Sequence, residues 1–323
     1  MAHEIETING KVSHFYVGKT PWHGIGQALE EAPSIDEAIV AAGLDWNVSM
    51  QELMLADGQV VPNKAVVRDL DKSVLGVVGE NYQPLQNSEA FKWFQPFIDS
   101  GLASLETAGS LRQGKRVWVL AKINRDPNEI VKGDEVEKFI LLSNSHDGTM
   151  SVRAGFTPIR VVCANTLAFS ISNKKSSLIR IKHTKSIKEN LENVREIMDA
   201  ANSKFEANAE QYRILANSEV NQADLEKYVK IIFAGPNYEQ MEKEGKKPAR
   251  DVLPKVLNLF ETGRGAQLPG VRGTYWAAYN AVNEYLGYER GSDQQVRLDK
   301  MWFGDSSVLN DKALKVAVEM AAA

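Results

Sequence analysis

The feature that most constrains this chain is a change of hydrophobic period. From Trp46 onward apolar residues recur in short alternating segments, 46–55, 59–69 and 73–79, with Asp57-Gly58 and Asp71-Lys72 between them. Period two marks strands with one buried face, and Asp-Gly between two such runs marks a hairpin. Further strands are predicted at 103–111, at 115–123 after Gln113-Gly114, and at 136–143. At Ser186 the period becomes that of a helix. Ile187, Leu191, Val194, Met198, Ala201, Phe205, Asn208, Tyr212 and Leu215 alternate at spacings of four and three. That is a coiled-coil-like seam with Asn208 as a polar interruption, able to close on its own domain or on a second copy. The pattern predicts an α+β protein. An N-terminal antiparallel β-rich domain with inserted helices covers 1–184, and a mainly helical half covers 185–323.

Local signals refine this outline. Residues 13–28 mix aromatics with Gly and Pro, as an irregular packed loop would. Ser34 with Glu37 forms a capping box for a short helix that Gly43 stops. Asn87 or Ser88 opens another helix, closed by Gly101. A strand is expected over 158–162, a short helix over 165–171, and extended chain over 174–184. Helices follow at 225–233 and 252–260, then one capped by Thr274, then a last one at about 308–322. The run 235–250 is charged, holds two Pro and two Gly, and reads as an exposed loop.

Charge is distributed unevenly. Between Asp147 and Glu189 there is no acidic residue, yet there are eight basic ones: Arg153, Arg160, Lys174, Lys175, Arg180, Lys182, Lys185 and Lys188. The whole chain is at −4, so a stretch at +8 leaves −12 on the rest. A basic face on an acidic body attracts polyanions locally. Residues 107–125 and 262–283 also lack acids, and hold Arg112, Lys115 and Arg116 in the first case and Arg264, Arg272, Tyr275, Trp276 and Tyr279 in the second. Cations neutralise phosphates and exposed rings stack bases, so this pattern suits single-stranded nucleic acid. Core strands and helices with a few outward cations would give the same pattern, and Trp276 and Tyr279 at helical spacing read as core.

Other chemistries leave weaker marks. His23, in Pro-Trp-His-Gly, and His146-Asp147, in Ser-His-Asp-Gly, occupy loop sequences where ligands and acid–base groups occur, without a metal-binding spacing. Cys163 is the single cysteine and lies in an apolar run, which excludes an internal disulfide and reads as a small buried residue. The glycines of 263–270 lack the Gly-Lys-Ser/Thr ending of a phosphate loop. No cofactor, no metal and no catalytic residue is assigned. The first thirty residues have no signal-peptide pattern, and no segment approaches the roughly twenty apolar residues of a membrane span. A cytoplasmic protein without a membrane partner is expected.

Four motifs carry a family resemblance: Trp22-His23-Gly24 with Gly26, Ser145-His146-Asp147-Gly148, 160–167 (Arg-Val-Val-Cys-Ala-Asn-Thr-Leu), and Gly273-Thr274-Tyr275-Trp276 leading to Asn280-Ala281 and Glu284-Tyr285. In this order they resemble the phage/plasmid-like protein family, a domain-of-unknown-function family carried by bacteriophages, prophages and plasmids. The resemblance implies a mobile-element protein in a bacterial cytoplasm and supplies no activity. The architecture is also broadly similar to single-strand annealing recombinases, which assemble into rings or filaments without nucleotide.

The leading expectation is therefore binding of single-stranded DNA, or RNA, with ATP-independent strand annealing within a homo-oligomer. Arg160, Lys174, Lys175, Arg180, Lys182 and Lys185 would contact phosphates, followed by Arg112, Lys115 and Arg116. One alternative is a metal-dependent hydrolase or nuclease using His23, His146 and Asp147. Another is a protein-interaction module, such as an inhibitor of a host system.

Overall fold

Alternation in the N-terminal half produces strands at the expected places. In the computed structural model, residues 7–8, 10–18, 26–124, 127–160, 165–166, 170–171, 175–176, 178–291, 300–301 and 304–322 are described. After the ribbon β1 (Thr7–Ile8) and β2 (Lys11–Val12) come β3 (His14–Val17) and β4 (Gln27–Leu29). The hairpin segments become β5 (Val48–Met54), β6 (Val60–Arg68) and β7 (Val74–Gly79), an antiparallel three-stranded sheet. β8 (Ala103–Leu111), β9 (Arg116–Ile123), β10 (Asn128–Val131), β11 (Asp134–Ser145) and β12 (Val152–Arg160) follow. The architecture is α+β, with strands mostly in the first half and helices in the second.

The chain packs as two units. The first gathers Met1–Arg125, Phe139–Phe156 and Leu178–Ala200. The second gathers Asp126–Lys138, Thr157–Ser177 and Ala201–Ala323. This partition follows packing rather than the change of sequence character at residue 184.

In the first unit β9 lies between β8 and β11, and β3 continues the sheet from β8 to a parallel β4. On the far side β12 pairs with β16 (Leu178–Ile181), with Val152 opposite Ile181 and Gly155 opposite Leu178. Three short helices supply the apolar cover: α1 (Ile35–Ala41), α2 (Asn87–Lys92) and α3 (Gln95–Asp99). Ser34 and Glu37 make the expected capping box on α1. The helix expected from Asn87 to Gly101 is broken in two, with Pro96 at the start of α3, where its missing N–H costs nothing. Ala38, Phe91, Phe94, Val117, Val119, Ala121, Ile140 and Leu142 are all fully buried here.

In the second unit β10 pairs with the opening residues of β11, and β13 (Asn165–Thr166) with Ile159 and Arg160 of β12. β14 (Ser170–Ile171) and β15 (Lys175–Ser176) form a small ribbon. The helix α4 (Ile187–Ala216) carries the chain from the first unit to the second. After it come α5 (Gln222–Ala234), α6 (Tyr238–Lys243), α7 (Leu253–Thr262), α8 (Tyr275–Glu284) with a π-helical turn (Tyr285–Glu289), and α9 (Asp305–Ala321). Their core is aromatic: Tyr212, Tyr228, Trp276 and Tyr279 are fully buried around Val229, Val256 and Val282. Thr274 caps α8 as expected, its Oγ1 accepting from Ala277 N at 3.2 Å.

Three expectations change. His14–Val17 is a strand of the sheet and not an irregular loop, because Phe15 and Tyr16 find buried places on it. The helix expected over 165–171 gives two short strands among the described residues. The loop expected over 235–250 contains α6, anchored by buried Tyr238, with Lys230 on α5 bonded to Glu242 at 2.9 Å. The seam side chains at 194–208, Asn208 included, lie outside the described residues. No helix among the described residues is long and apolar enough to cross a membrane.

Candidate functional site

Six of the nine expected phosphate contacts belong to the first unit. Arg112 and Lys115 belong to the β8–β9 turn, Arg116 opens β9, Arg180 lies in β16, and Lys182 and Lys185 precede α4. Arg160 ends β12 and Lys175 lies in β15, both in the second unit and with side chains outside the described residues. Lys174 lies outside the described residues altogether.

Local chain geometry shapes the turn that carries Arg112 and Lys115. Arg112, Gln113 and Gly114 take φ values of 56°, 59° and 82°, three left-handed residues in succession that turn the chain sharply between β8 and β9. The turn is tied to the end of β11, where His146 N donates to Lys115 O at 2.8 Å. Next to it, the Asp147 carboxylate accepts from the Ser145 hydroxyl, from Thr149 N at 2.9 Å and from Thr149 Oγ1 at 2.6 Å. Arg116 Nη2 donates to Thr149 Oγ1 at 3.4 Å. Burial opposes ionisation of Asp147. The bonds from Ser145 and Thr149 and the charge of Arg116 outweigh it and hold the carboxyl below its ordinary range.

Arg153, one of the eight cations of the acid-free stretch but not among the expected phosphate contacts, stands directly opposite Arg180 in the β12–β16 ladder. Burial, then the charges of Arg180 and Arg116, draw its guanidinium down to about 10. Only the long-range pairing of β12 with β16 reveals this neighbour, since the two arginines are far apart in the chain. Arg180, Lys182 and Lys185 are exposed. Lys188, by contrast, is matched by Glu89 at 2.5 Å.

The lysines after β16 are placed by buried neighbours. His183 stacks on Tyr82 with ring centroids 4.5 Å apart, and its Nδ1 lies 3.0 Å from Gln83 O. Tyr82 in turn donates to Ser145 O at 2.7 Å. β7 presses on the same turn. A Cβ at Gly76 would stand 2.5 Å from Asp147 Cα. Gly76→Ala is therefore expected to cost about 1–3 kcal/mol by overpacking backbone against side chain, measured by urea denaturation.

His146 has a different place from the one a hydrolase needs. It is fully buried, with its ring 5.2 Å from that of Trp46 and Nε2 3.0 Å from Asn87 Oδ1. Asn87 spends its amide on the carbonyls of Leu44 and Trp46, so its Oδ1 accepts and His146 carries its proton on Nε2. Burial, reinforced by the charges of His183 and Arg68 against the opposing pull of Asp147, lowers its pKa to about 3. It is a neutral member of a polar core. His23 lies outside the described residues, and no group of three His, Cys, Asp or Glu among the described residues could hold a metal ion. Trp276 and Tyr279, fully buried in the second unit, offer no face to a base.

A groove of about 700 Å³ in the first unit is lined by Glu30, Glu31, Asp36 and Glu37 beside Leu29 and Val40. Its acidic rim does not suit a polyanion. No curated protein and no solved structure matches the chain. A family model described as Domain of unknown function (DUF932) matches residues 74–307, a span that includes the β8–β9 turn, His146, Arg153, Arg180 and Trp276.

Proposed function

Since the chain belongs to the DUF932 family, a membership that assigns no activity, we propose from its surface chemistry that it binds single-stranded nucleic acid. The observation that supports this reading is that Arg112, Lys115, Arg116, Arg180, Lys182 and Lys185 all belong to one packed unit, with Arg180, Lys182 and Lys185 exposed. Exposed cations of this kind on one unit could neutralise the phosphates of a bound strand. No aromatic side chain is required for affinity, because neutralised phosphates and released counterions supply it. The protein would act in a bacterial cytoplasm, encoded by a phage or plasmid, and annealing of strands within a homo-oligomer is the natural extension. The acid–base chemistry of a nuclease has less support, since His146 is enclosed and neutral.

The test is fluorescence anisotropy of a labelled strand across a salt series. The triple reversal of Lys115, Lys182 and Lys185 to Glu should weaken binding evenly across sequences. It should also flatten the log–log salt slope by about 2, given about 0.7 per neutralised phosphate on single strands. Absence of binding by the wild-type protein at low salt would sink the reading.

A further inference from the structure

We propose that the acidic groove beside β4 receives the cationic edge strand β16 of a second copy of this chain, so that copies join head to tail. β4 and β16 stand towards opposite ends of one sheet in the first unit. Among the described residues β4 pairs only with β3, and β16 only with β12. A strand in such a place keeps unpaired N–H and C=O groups on its open side, a template for another strand. In β4 the Leu29 carbonyl accepts from Gly18 N at 3.2 Å and so faces β3. Alternation along the strand then leaves the N–H and C=O of Ala28, an exposed residue, on the open side.

Charge makes the two ends complementary. The groove takes Leu29 from β4, Glu30 and Glu31 from the connection, and Asp36, Glu37 and Val40 from α1. Ser34 engages Glu37 through the capping box. Glu30, Glu31 and Asp36 are exposed and have no ion-pair partner among the described residues. At the other end Arg180 in β16 and Lys182 just after it are exposed, and neither has an acidic partner among the described residues. Val40, 62% exposed, and half-buried Ile179 add apolar surface on either side. Each end repels its own kind, so the favoured junction is between unlike ends. Such a junction is heterologous: every copy keeps one end open, and copies add until a ring closes or a filament grows. The proposal gives a form to the homo-oligomer of the proposed function without resting on strand binding. Arg180 and Lys182 are also among the expected phosphate contacts, so a bound strand and a second copy compete for them.

Sedimentation equilibrium of the full chain, free of nucleic acid and at low salt, tests the junction apart from strand binding. The wild type is expected to gain mass with concentration beyond that of a dimer, and to fall back towards the monomer as salt screens the charges. Two charge reversals then separate the ends. Glu30→Lys with Glu31→Lys and Asp36→Lys makes the groove basic, and Arg180→Glu with Lys182→Glu makes the strand acidic. All five positions are exposed. If either variant melts early, Asp36→Lys or Lys182→Glu alone takes its place. Each variant by itself should need at least about tenfold more protein to assemble. An equimolar mixture of the two should recover, because the intact groove of one meets the intact strand of the other and the remaining faces have exchanged sign. A wild type that stays monomeric or stops at a dimer, an assembly that survives either reversal, or a mixture that does not recover overturns the head-to-tail junction.

Discussion

Trp276→Ala is expected to remove about 3–5 kcal/mol of packing from the second unit, a large part of the roughly 5–15 kcal/mol that holds a domain together. The side chain is fully buried, with ring centroids 5.0 Å from Tyr212 and 5.8 Å from Tyr279. Truncation to alanine therefore opens a large cavity among rigid rings, and the neighbours can collapse into it only in part. A second loss adds to the first. Trp276 Nε1 donates to Asp134 Oδ2 at 2.8 Å, and Asp134 is itself fully buried. Taking a donor from a buried carboxylate costs a further 1–3 kcal/mol or so. Trp276→Phe helps separate the two contributions, because it removes the donor while keeping one ring and losing only the smaller part of the volume. Chemical denaturation followed by circular dichroism measures both. A loss below about 1 kcal/mol for the alanine variant would show that this tryptophan does not organise the unit.

The second large effect is a loss of stability in mild acid, traced to His146. In the folded protein this ring has a pKa near 3, against an ordinary value of 6.5. The unfolded chain therefore binds a proton that the folded one refuses. Stability is complete above about pH 6.5 and falls as pH drops towards 3, at up to about 1.4 kcal/mol per pH unit for this group. His183, also lowered, chiefly by burial, acts in the same direction. His146→Gln, neutral throughout and able to donate to Asn87, should flatten the curve between pH 6 and 4 relative to the wild type. His146→Ala should cost about 2–4 kcal/mol at pH 7, since it strands Asn87 Oδ1 and leaves a gap beside Trp46. A wild-type stability that stays level from pH 7 to 4 would contradict the buried neutral ring.

Much of the first unit could be read from the chain because its signals are local. Alternation with Asp57-Gly58 between the runs fixed β5 and β6, and Ser34 with Glu37 fixed the start of α1. Short apolar runs carry no such mark. Asn-Thr-Leu-Ala-Phe-Ser-Ile reads as readily in a helical period as in a strand, and its neighbours decide. α6 was hidden by the Gly, Pro and charge around it, although Tyr238 was the hint of a buried side. The candidate site divides in the same way. The acid-free stretch pointed to Arg180, Lys182 and Lys185. Setting Arg153 against Arg180 depends on how β12 and β16 align, and joining Arg116 to them depends on a turn formed elsewhere in the chain. Sequence records which cations exist, whereas pairing across long separations decides which of them meet.

The division of the chain also imposes an order of events during synthesis. The first unit has all its segments once Ala200 has been made, whereas the second needs the whole remaining length. Its early pieces must wait. Asp134 leaves the ribosome 142 residues before Trp276, its hydrogen-bonding partner. Through that interval the β10–β11 turn and the segment Thr157–Ser177 lack the helical core that completes their unit. The nascent protein thus passes through a stage in which one half can be finished and the other still exposes apolar surface, the condition in which growing chains draw on chaperones.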